Sequence, residues 1–218
     1  ASEEKIQLMP LGEIKPYEDA PFKVRLDENM EELVESIKEN GVLVPTIARP
    51  HTDGGVEMLA GHRRLKACEL AGLDKLPVIV KNLDDDTAII LLVDSNLHRE
   101  DILPSEKAFA YQMKLEAMKR QGKRSDLTCE QVAYKSDKKK SSEILGEQVG
   151  ESKDQIRRYI RLTNLIDPIL EMVDNKQIAF NAAVELSYLG SKEQAEVYQS
   201  IEAEEVAPSI EQSRKIRR

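Results

Sequence analysis

Tryptophan is missing from this 218-residue chain, and aromatic residues make up only 4% of it, so the hydrophobic core has to be aliphatic. No apolar run approaches the roughly 18 residues that a membrane helix needs, and the first twenty residues lack the apolar segment of a signal peptide. The two cysteines, Cys68 and Cys129, are too few for a disulfide framework or a four-thiolate zinc site. We therefore expect a cytoplasmic protein that has no membrane partner.

Charged residues are abundant but unevenly distributed along the chain. A formal net charge of -8 and a pI near 5.1 exclude a uniformly basic nucleic-acid coat. Residues 1–100 carry 12 Lys and Arg against 20 Asp and Glu, whereas residues 101–218 carry 20 of each kind. Within 119–161 the balance is 12 basic to 7 acidic residues. This asymmetry predicts two modules with different partners.

Strand and helix patterns alternate in the first half of the chain. Apolar residues at three- and four-residue spacing predict a helix over 28–40, which Asp27 caps and Gly41 ends. The sequence Asp53-Gly54-Gly55 predicts the turn of a β-hairpin. We therefore predict a small α+β domain over residues 1–103.

The second half, residues 104–218, shows helical patterns without strands, which predicts an all-helical domain. Its first helix is expected to end at Gly122, and residues 123–140 are expected to form a loop or a poorly ordered helix. The basic stretch that begins at Gln212 is expected to fray or to continue into residues that this chain lacks. A helix pair at about 142–165 is joined by Gly150-Glu151-Ser152, where glycine can take the left-handed backbone of a tight turn.

The second helix of that pair has the layout of a recognition helix. Ile156 and Ile160 can face the core, and a helix-turn-helix presents the remaining polar residues to the major groove. Phosphate neutralisation needs several cations close together. The residues that we assign to DNA binding are Lys138, Lys139, Lys140, Ser152, Lys153, Gln155, Arg157, Arg158 and Arg161. An ordinary helical hairpin with a solvated basic face is the alternative.

A strand–helix corner in the first half, LAGHRRLKA at residues 59–67, predicts an anion site. Gly61 allows close approach of the backbone, and the free N–H groups of the helix start combine with Arg63 and Arg64. Taken alone, the segment is more typical of a strand–helix corner whose arginines are solvated.

A second polar cluster, DSNLHREDILPSE at residues 94–106, ends one helix and begins another. Oxygen ligands such as that of Asn96 could hold a hard cation, and Arg99 could meet a phosphate. Taken alone, this segment is typical of an inter-domain joint with capping residues.

Together these segments resemble the ParB family of DNA-partition proteins, in the family's order, from about residue 6 to 190. ESIKENGVLVPTIARP is similar to the first nucleotide motif, and AGHRRLKACELAGL is similar to the phosphate motif usually written GERR. SNLHREDILPSEKAFAY resembles the third motif, and the helix pair with RRYIRLTNL resembles the family's helix-turn-helix.

The resemblance implies a fold, ligands and partners. A ParB/sulfiredoxin-like N-terminal domain would bind CTP with Mg²⁺ and hydrolyse it weakly, and the helical domain would bind double-stranded DNA. The resemblance also implies a homodimer whose N-terminal domains associate around nucleotide, a ParA-type ATPase partner, and association with a nucleoid or plasmid. The nucleotide site would comprise Val44, Pro45, Thr46, Gly61, His62, Arg63, Arg64, Asn96, Arg99 and Glu100, with Asn96 also as a metal ligand.

The chain departs from the family's motifs at two positions. His62 and Ser95 stand where the phosphate and third motifs usually have glutamate, so a Mg²⁺ site loses charge. The family's C-terminal dimerisation domain has no counterpart in these residues, and we expect a piece of a longer protein.

Other functions also fit parts of the sequence. One is a repressor of transcription whose DNA binding is unchanged by CTP, and another is a ParB-fold nucleotide-dependent kinase. Sulfiredoxin-type catalysis is disfavoured, because it needs a nucleophilic sulfur at the corner. This chain has Ala60-Gly61-His62-Arg63 there, which contains no sulfur.

Overall fold

The computed structural model describes residues 5–97, 99, 101–128, 141–204 and 206–217, with the backbone alone at 123–128. It divides into two units, residues 1–98 and 99–218. The first unit contains β1 (Ile6–Pro10), β2 (Ile14–Pro16), α1 (Glu28–Asn40), β3 (Thr46–Pro50), β4 (Val56–Ala60), α2 (His62–Ala71), β5 (Lys75–Val80) and α3 (Asp85–Leu97).

The strands of the first unit form one mixed sheet with the order β1-β5-β3-β4-β2. β1 pairs with β5, and β3 with β4, in antiparallel fashion, whereas the β3–β5 and β2–β4 pairs are parallel. The β3–β4 hairpin turns through Gly54 and Gly55, whose φ angles of +88° and +73° only glycine adopts readily.

Helices α1 and α2 share one aliphatic core with the sheet. Met30, Val34 and Ile37 are buried on α1 at three- and four-residue spacing, as the sequence predicts. The Asp27 side chain accepts a hydrogen bond from the Met30 backbone N–H, at 3.0 Å, and Gly41 ends the helix. The predicted bounds of this helix are therefore confirmed.

The second unit is helical. It contains α4 (Pro104–Thr128), α5 (Ser141–Val149), α6 (Lys153–Arg161), α7 (Asp167–Asp174), α8 (Phe180–Leu186), α9 (Ser191–Glu204) and α10 (Ile210–Ile216). Its core is formed mainly by aliphatic side chains of the segment that follows α6 and of α7, α8 and α9. The predicted fold class, an α+β domain followed by a helical domain, is confirmed.

Two expectations about the second unit are wrong. α4 continues through Gly122 to Thr128, because a glycine inside a helix costs only about 1 kcal/mol and its Lys, Arg and Gln neighbours favour helix. The C-terminal stretch forms α10, which begins with a capping box between Ser209 and Gln212 and buries Ser213. Within the described ranges, no helix is long and apolar enough to span a membrane.

Candidate nucleotide and DNA sites

The corner between β4 and α2 has the geometry of an anion site. Gly61 has a φ of +113°, a conformation that favours glycine. A Cβ atom added to Gly61 would lie only 2.9 Å from the Cβ atom of Thr46 and would collide with that side chain. Among the described residues, no side chain caps the start of α2. Its first backbone N–H groups and the positive end of the helix dipole therefore favour an anion.

Arg64 connects this corner to the loop that precedes β3. Its Nη1 donates hydrogen bonds to the carbonyl oxygens of Val44, at 2.6 Å, and Pro45, at 2.8 Å. Its Nη2 would lie 3.3 Å from a Cβ atom on Gly61, so the guanidinium borders the corner directly. Burial lowers the pKa of Arg64 from its ordinary value, since desolvation disfavours the charged form.

Arg63 has different neighbours, because adjacent helical positions point about 100° apart. Its Nη2 lies 3.9 Å from Asp27 Oδ1, and Asp27 caps α1. Val44 is exposed, whereas Thr46 is buried and donates its hydroxyl to the carbonyl of Pro77, at 3.2 Å. The structure thus brings Arg64 together with the predicted nucleotide residues Val44, Pro45 and Gly61.

The remaining predicted nucleotide residues lie on several elements. His62 is half-buried at the start of α2, and its Nε2 atom is buried. Asn96 lies near the end of α3, where its Nδ2 donates to the Leu92 carbonyl at 2.8 Å. Arg99 belongs to the second unit, and Glu100 lies outside the described residues. Their assignment to the site stays a prediction.

The described residues do not fit a protein-held Mg²⁺ site. None of them form a group of three or more His, Cys, Asp or Glu side chains that could hold a metal ion. Asn96 offers a neutral amide oxygen, whereas Mg²⁺ is usually held through carboxylates and substrate phosphates.

Cys68 supplies no nucleophile. Its side chain is fully buried in the core of the first unit, and burial raises the pKa of its thiol. A thiol in such surroundings packs as a small hydrophobe. This environment does not support sulfiredoxin-type chemistry at Cys68.

Helices α5 and α6 form the predicted pair in the second unit. Ser152 accepts a hydrogen bond from the Gln155 backbone N–H, at 3.1 Å, and thereby caps α6. Ile156 is fully buried, and Arg157 and Arg158 on the same helix are exposed. Arg157 lies 3.7 Å from Asp154, a loose surface pair that DNA phosphates could replace.

The turn between these helices is held against α4, a contact that the sequence did not reveal. Lys107 Nζ lies 3.0 Å from Glu151 Oε1 in the turn, and 5.2 Å from the ring centroid of Tyr159. Tyr111 is buried, and its pKa is raised chiefly by that burial and further by the Glu151 carboxylate. The only trace in the sequence is the spacing of four residues between Lys107 and Tyr111, which places both on one face of α4.

Two predicted DNA residues make contacts inside the helical unit. Lys153 lies 2.7 Å from Glu143 of α5, and Arg161 donates hydrogen bonds to Ser187. These partners hold the Lys153 and Arg161 side chains, whereas Arg157 and Arg158 are exposed, and the assignment of Lys153 and Arg161 to DNA stays a prediction. Lys138, Lys139 and Lys140 lie outside the described residues.

These features define a class of protein in which a mixed-sheet unit with an anion corner is followed by a helical unit with a helix-turn-helix. Residues 1–97 match the family model of the ParB N-terminal domain, and residues 132–216 match that of the ParB HTH domain. The chain therefore belongs to the ParB family.

Individual relatives agree with this assignment. The chain is 35% identical over 170 residues to the chromosome-partitioning protein Spo0J of Thermus thermophilus, which covers 78% of this chain and 55% of the relative. It is 31% identical over 191 residues to the nucleoid occlusion protein of Listeria monocytogenes, covering 88% of this chain and 60% of the relative. The chain thus spans less than two thirds of the length of these relatives.

A solved structure shows the same fold. It is the C-terminally truncated ParB of Caulobacter crescentus, complexed to the centromeric parS site. The TM-score is 0.54 at 20% sequence identity, and the match covers 96% of this chain and 97% of that one.

Proposed function

We propose that this chain is a DNA-binding partition protein whose helical unit binds a specific site on double-stranded DNA. The observation that carries the proposal is α6, which Ser152 caps, Ile156 anchors, and Arg157 and Arg158 make basic on its exposed surface. A recognition helix needs this arrangement, in which one face packs in the domain and the other enters the major groove. The parS complex of the Caulobacter crescentus protein supports it.

We propose further that the first unit binds a nucleoside triphosphate at the Gly61 corner. Three features support an anion there: the left-handed backbone of Gly61, the start of α2, which no described side chain caps, and the neighbouring Arg64 guanidinium. Arg64 also orders the loop of exposed Val44 and half-buried Pro45, which would lie beside the base. The resemblance of both segments to the family's nucleotide motifs supports CTP as the nucleotide.

In this proposal nucleotide binding controls how two copies of the protein act on DNA. CTP favours association of the N-terminal units of a homodimer, and the DNA-bound dimer works with a ParA-type ATPase. The names of the relatives favour a chromosome over a plasmid as the DNA that is segregated. These partners rest on the family resemblance.

Calorimetry of the chain against CTP, ATP and GTP, each with and without Mg²⁺, tests the nucleotide. We expect binding of CTP that is tighter than that of ATP or GTP. Selection of duplexes from a random library, followed by titration at several salt concentrations, tests DNA recognition. A chain that enriches no sequence would contradict specific DNA binding.

A nucleotide-independent repressor is the second candidate. The replacement of two family carboxylates by His62 and Ser95 favours it. Such a protein would bind its selected duplex equally well with and without CTP, and calorimetry would show no nucleotide binding under any metal condition.

A further inference from the structure

Tyr188, which follows α8, stacks against two guanidinium groups. The Cζ atom of Arg161 lies 4.0 Å from the centroid of its ring, and that of Arg217 lies 3.6 Å from the same centroid. One ring face holds one guanidinium at such a distance, so we place the two cations on opposite faces. The ring therefore joins the last residue of α6 to the end of α10.

Both guanidinium groups are held by hydrogen bonds inside the helical unit. Arg161 donates to the hydroxyl oxygen of Ser187, at 3.3 Å, and to its carbonyl oxygen. Arg217 donates to one carboxylate oxygen of Glu185, at 2.8 Å, and Arg214 donates to the other, at 3.2 Å. A guanidinium that is oriented in this way, and that in Arg217 is also paired with a carboxylate, is poorly placed to bind DNA phosphates.

We propose that Tyr188 and Arg217 are positioning residues for DNA recognition, an inference that rests on the proposed role of α6. By holding Arg161, the ring fixes the end of α6, and thereby the direction in which Arg157 and Arg158 enter the groove. Base readout requires side chains within about 0.5 Å of their productive positions, whereas general attraction to phosphates does not. Helix α10 thus affects sequence readout without touching DNA.

The test uses four variants of the whole chain: Tyr188→Leu, Tyr188→Phe, Arg217→Gln and Arg217→Lys. Each is titrated with the selected duplex and with a scrambled duplex over a series of salt concentrations, and its thermal unfolding is recorded. We expect Tyr188→Leu and Arg217→Gln to weaken binding of the selected duplex by about two- to fivefold, the range of one exposed cation–π contact. Binding of the scrambled duplex and the salt dependence should match the wild-type protein.

The two conservative variants separate positioning from other roles. Tyr188→Phe keeps the ring and should bind as the wild type does. Arg217→Lys keeps the charge but loses the flat guanidinium, so it should lose affinity for the selected duplex as Arg217→Gln does. It also keeps the proposal testable if Tyr188→Leu does not fold.

Three results would overturn the proposal. In the first, Arg217→Lys binds as the wild type does, whereas Arg217→Gln binds both duplexes more weakly and lowers the salt slope by about one. That pattern would show that Arg217 contacts a DNA phosphate. Another is an equal loss on both duplexes in Tyr188→Leu and Arg217→Lys, and the third is no loss in either variant. A wild-type chain that selects no duplex would reject the proposed function itself, and this inference with it.

Discussion

The guanidinium of Arg64, in the first turn of α2, donates a hydrogen bond of 2.6 Å to the carbonyl oxygen of Val44, twenty residues earlier in the chain. A single side chain therefore orders the loop before β3 and borders the anion corner at Gly61. Arg63, its neighbour in sequence, faces Asp27 at the start of α1 instead. The two arginines of the motif consequently have separable roles.

Changing Arg64 to Ala should abolish nucleotide binding or weaken it at least tenfold, because the variant loses both the cation at the corner and the order of the loop. Arg63→Ala is the matched control, since it removes the same charge one position away. It should retain most nucleotide affinity and instead reduce nucleotide-stimulated association of the N-terminal units. Calorimetry and chemical crosslinking measure the two quantities.

Neither arginine change touches the helix-turn-helix, so affinity for a short duplex should persist in both variants. The opposite pattern, in which Arg63→Ala loses the nucleotide and Arg64→Ala keeps it, would reassign the phosphate contact to Arg63.

Gly61→Ala should also eliminate nucleotide binding, because the added Cβ meets Thr46 and the backbone has a φ of +113°. Gly72→Ala is its control, since Gly72 has a φ of +74° but open space around it. The control should lose about 1–2 kcal/mol of stability from the left-handed backbone and still bind nucleotide. A Gly61→Ala protein that binds CTP as well as the wild type would place the site elsewhere.

Local patterns in the sequence predicted the elements that form the corner. Asp27 and Gly41 were expected to bound α1, and the structure confirms both. The sequence does not reveal β2, because Ile14–Pro16 is only three residues long and pairs in parallel with β4, which lies about forty residues later. Pairing of that kind depends on tertiary packing and leaves no periodicity in a short segment.

In the helical unit, the contacts of Arg161 likewise depend on tertiary packing that the local sequence pattern does not reveal. The basic character of α6 favours a DNA contact for Arg161, which stays a prediction, but its observed partners Ser187 and Tyr188 lie far along the chain. Arg157 and Arg158 agree with the expected exposure because the period of α6 alone places them opposite Ile156. Their contact with DNA remains a prediction.

Arg157→Ala and Arg158→Ala should each weaken DNA binding while leaving thermal unfolding nearly unchanged, because both side chains are exposed. If one of them reads a guanine edge, the loss should be about 1–3 kcal/mol on the selected duplex and much smaller on a scrambled duplex. Equal losses on both duplexes would indicate a phosphate contact. Wild-type binding by both variants would contradict the recognition-helix assignment.

Two glycines of the helical unit should respond to alanine in opposite directions. A Cβ atom on Gly146 of α5 would lie 2.6 Å from the backbone oxygen of Glu151, so Gly146→Ala should cost about 1–3 kcal/mol. Gly122 of α4 has open space around it, and Gly122→Ala should stabilise the unit by about 0.8 kcal/mol through helix propensity. Urea unfolding of the two variants measures both signs.

The bond between Glu185 and the C-terminal arginines predicts a pH dependence of stability. Hydrogen bonding to Arg217 holds the pKa of Glu185 below its ordinary value of 4.5, with burial opposing the shift and Arg214 adding to it. A carboxylate with a depressed pKa stabilises the folded state above its unfolded-state pKa, and that contribution disappears as the pH falls through the folded-state pKa. The stabilisation should therefore be complete near neutral pH and lost in the acid range below about 4.5.

Glu185→Gln isolates this contribution, because glutamine resembles the protonated carboxyl group in shape and charge. Thermal unfolding of the wild-type and Glu185→Gln proteins should be compared at several pH values between 7 and 3. We expect the wild type to melt at the higher temperature at pH 7, and the difference to shrink toward zero as the pH falls below 4.5. A difference that stays constant over this range would show that the Glu185 charge adds nothing to the attachment of α10, since all other titrating groups are common to both proteins.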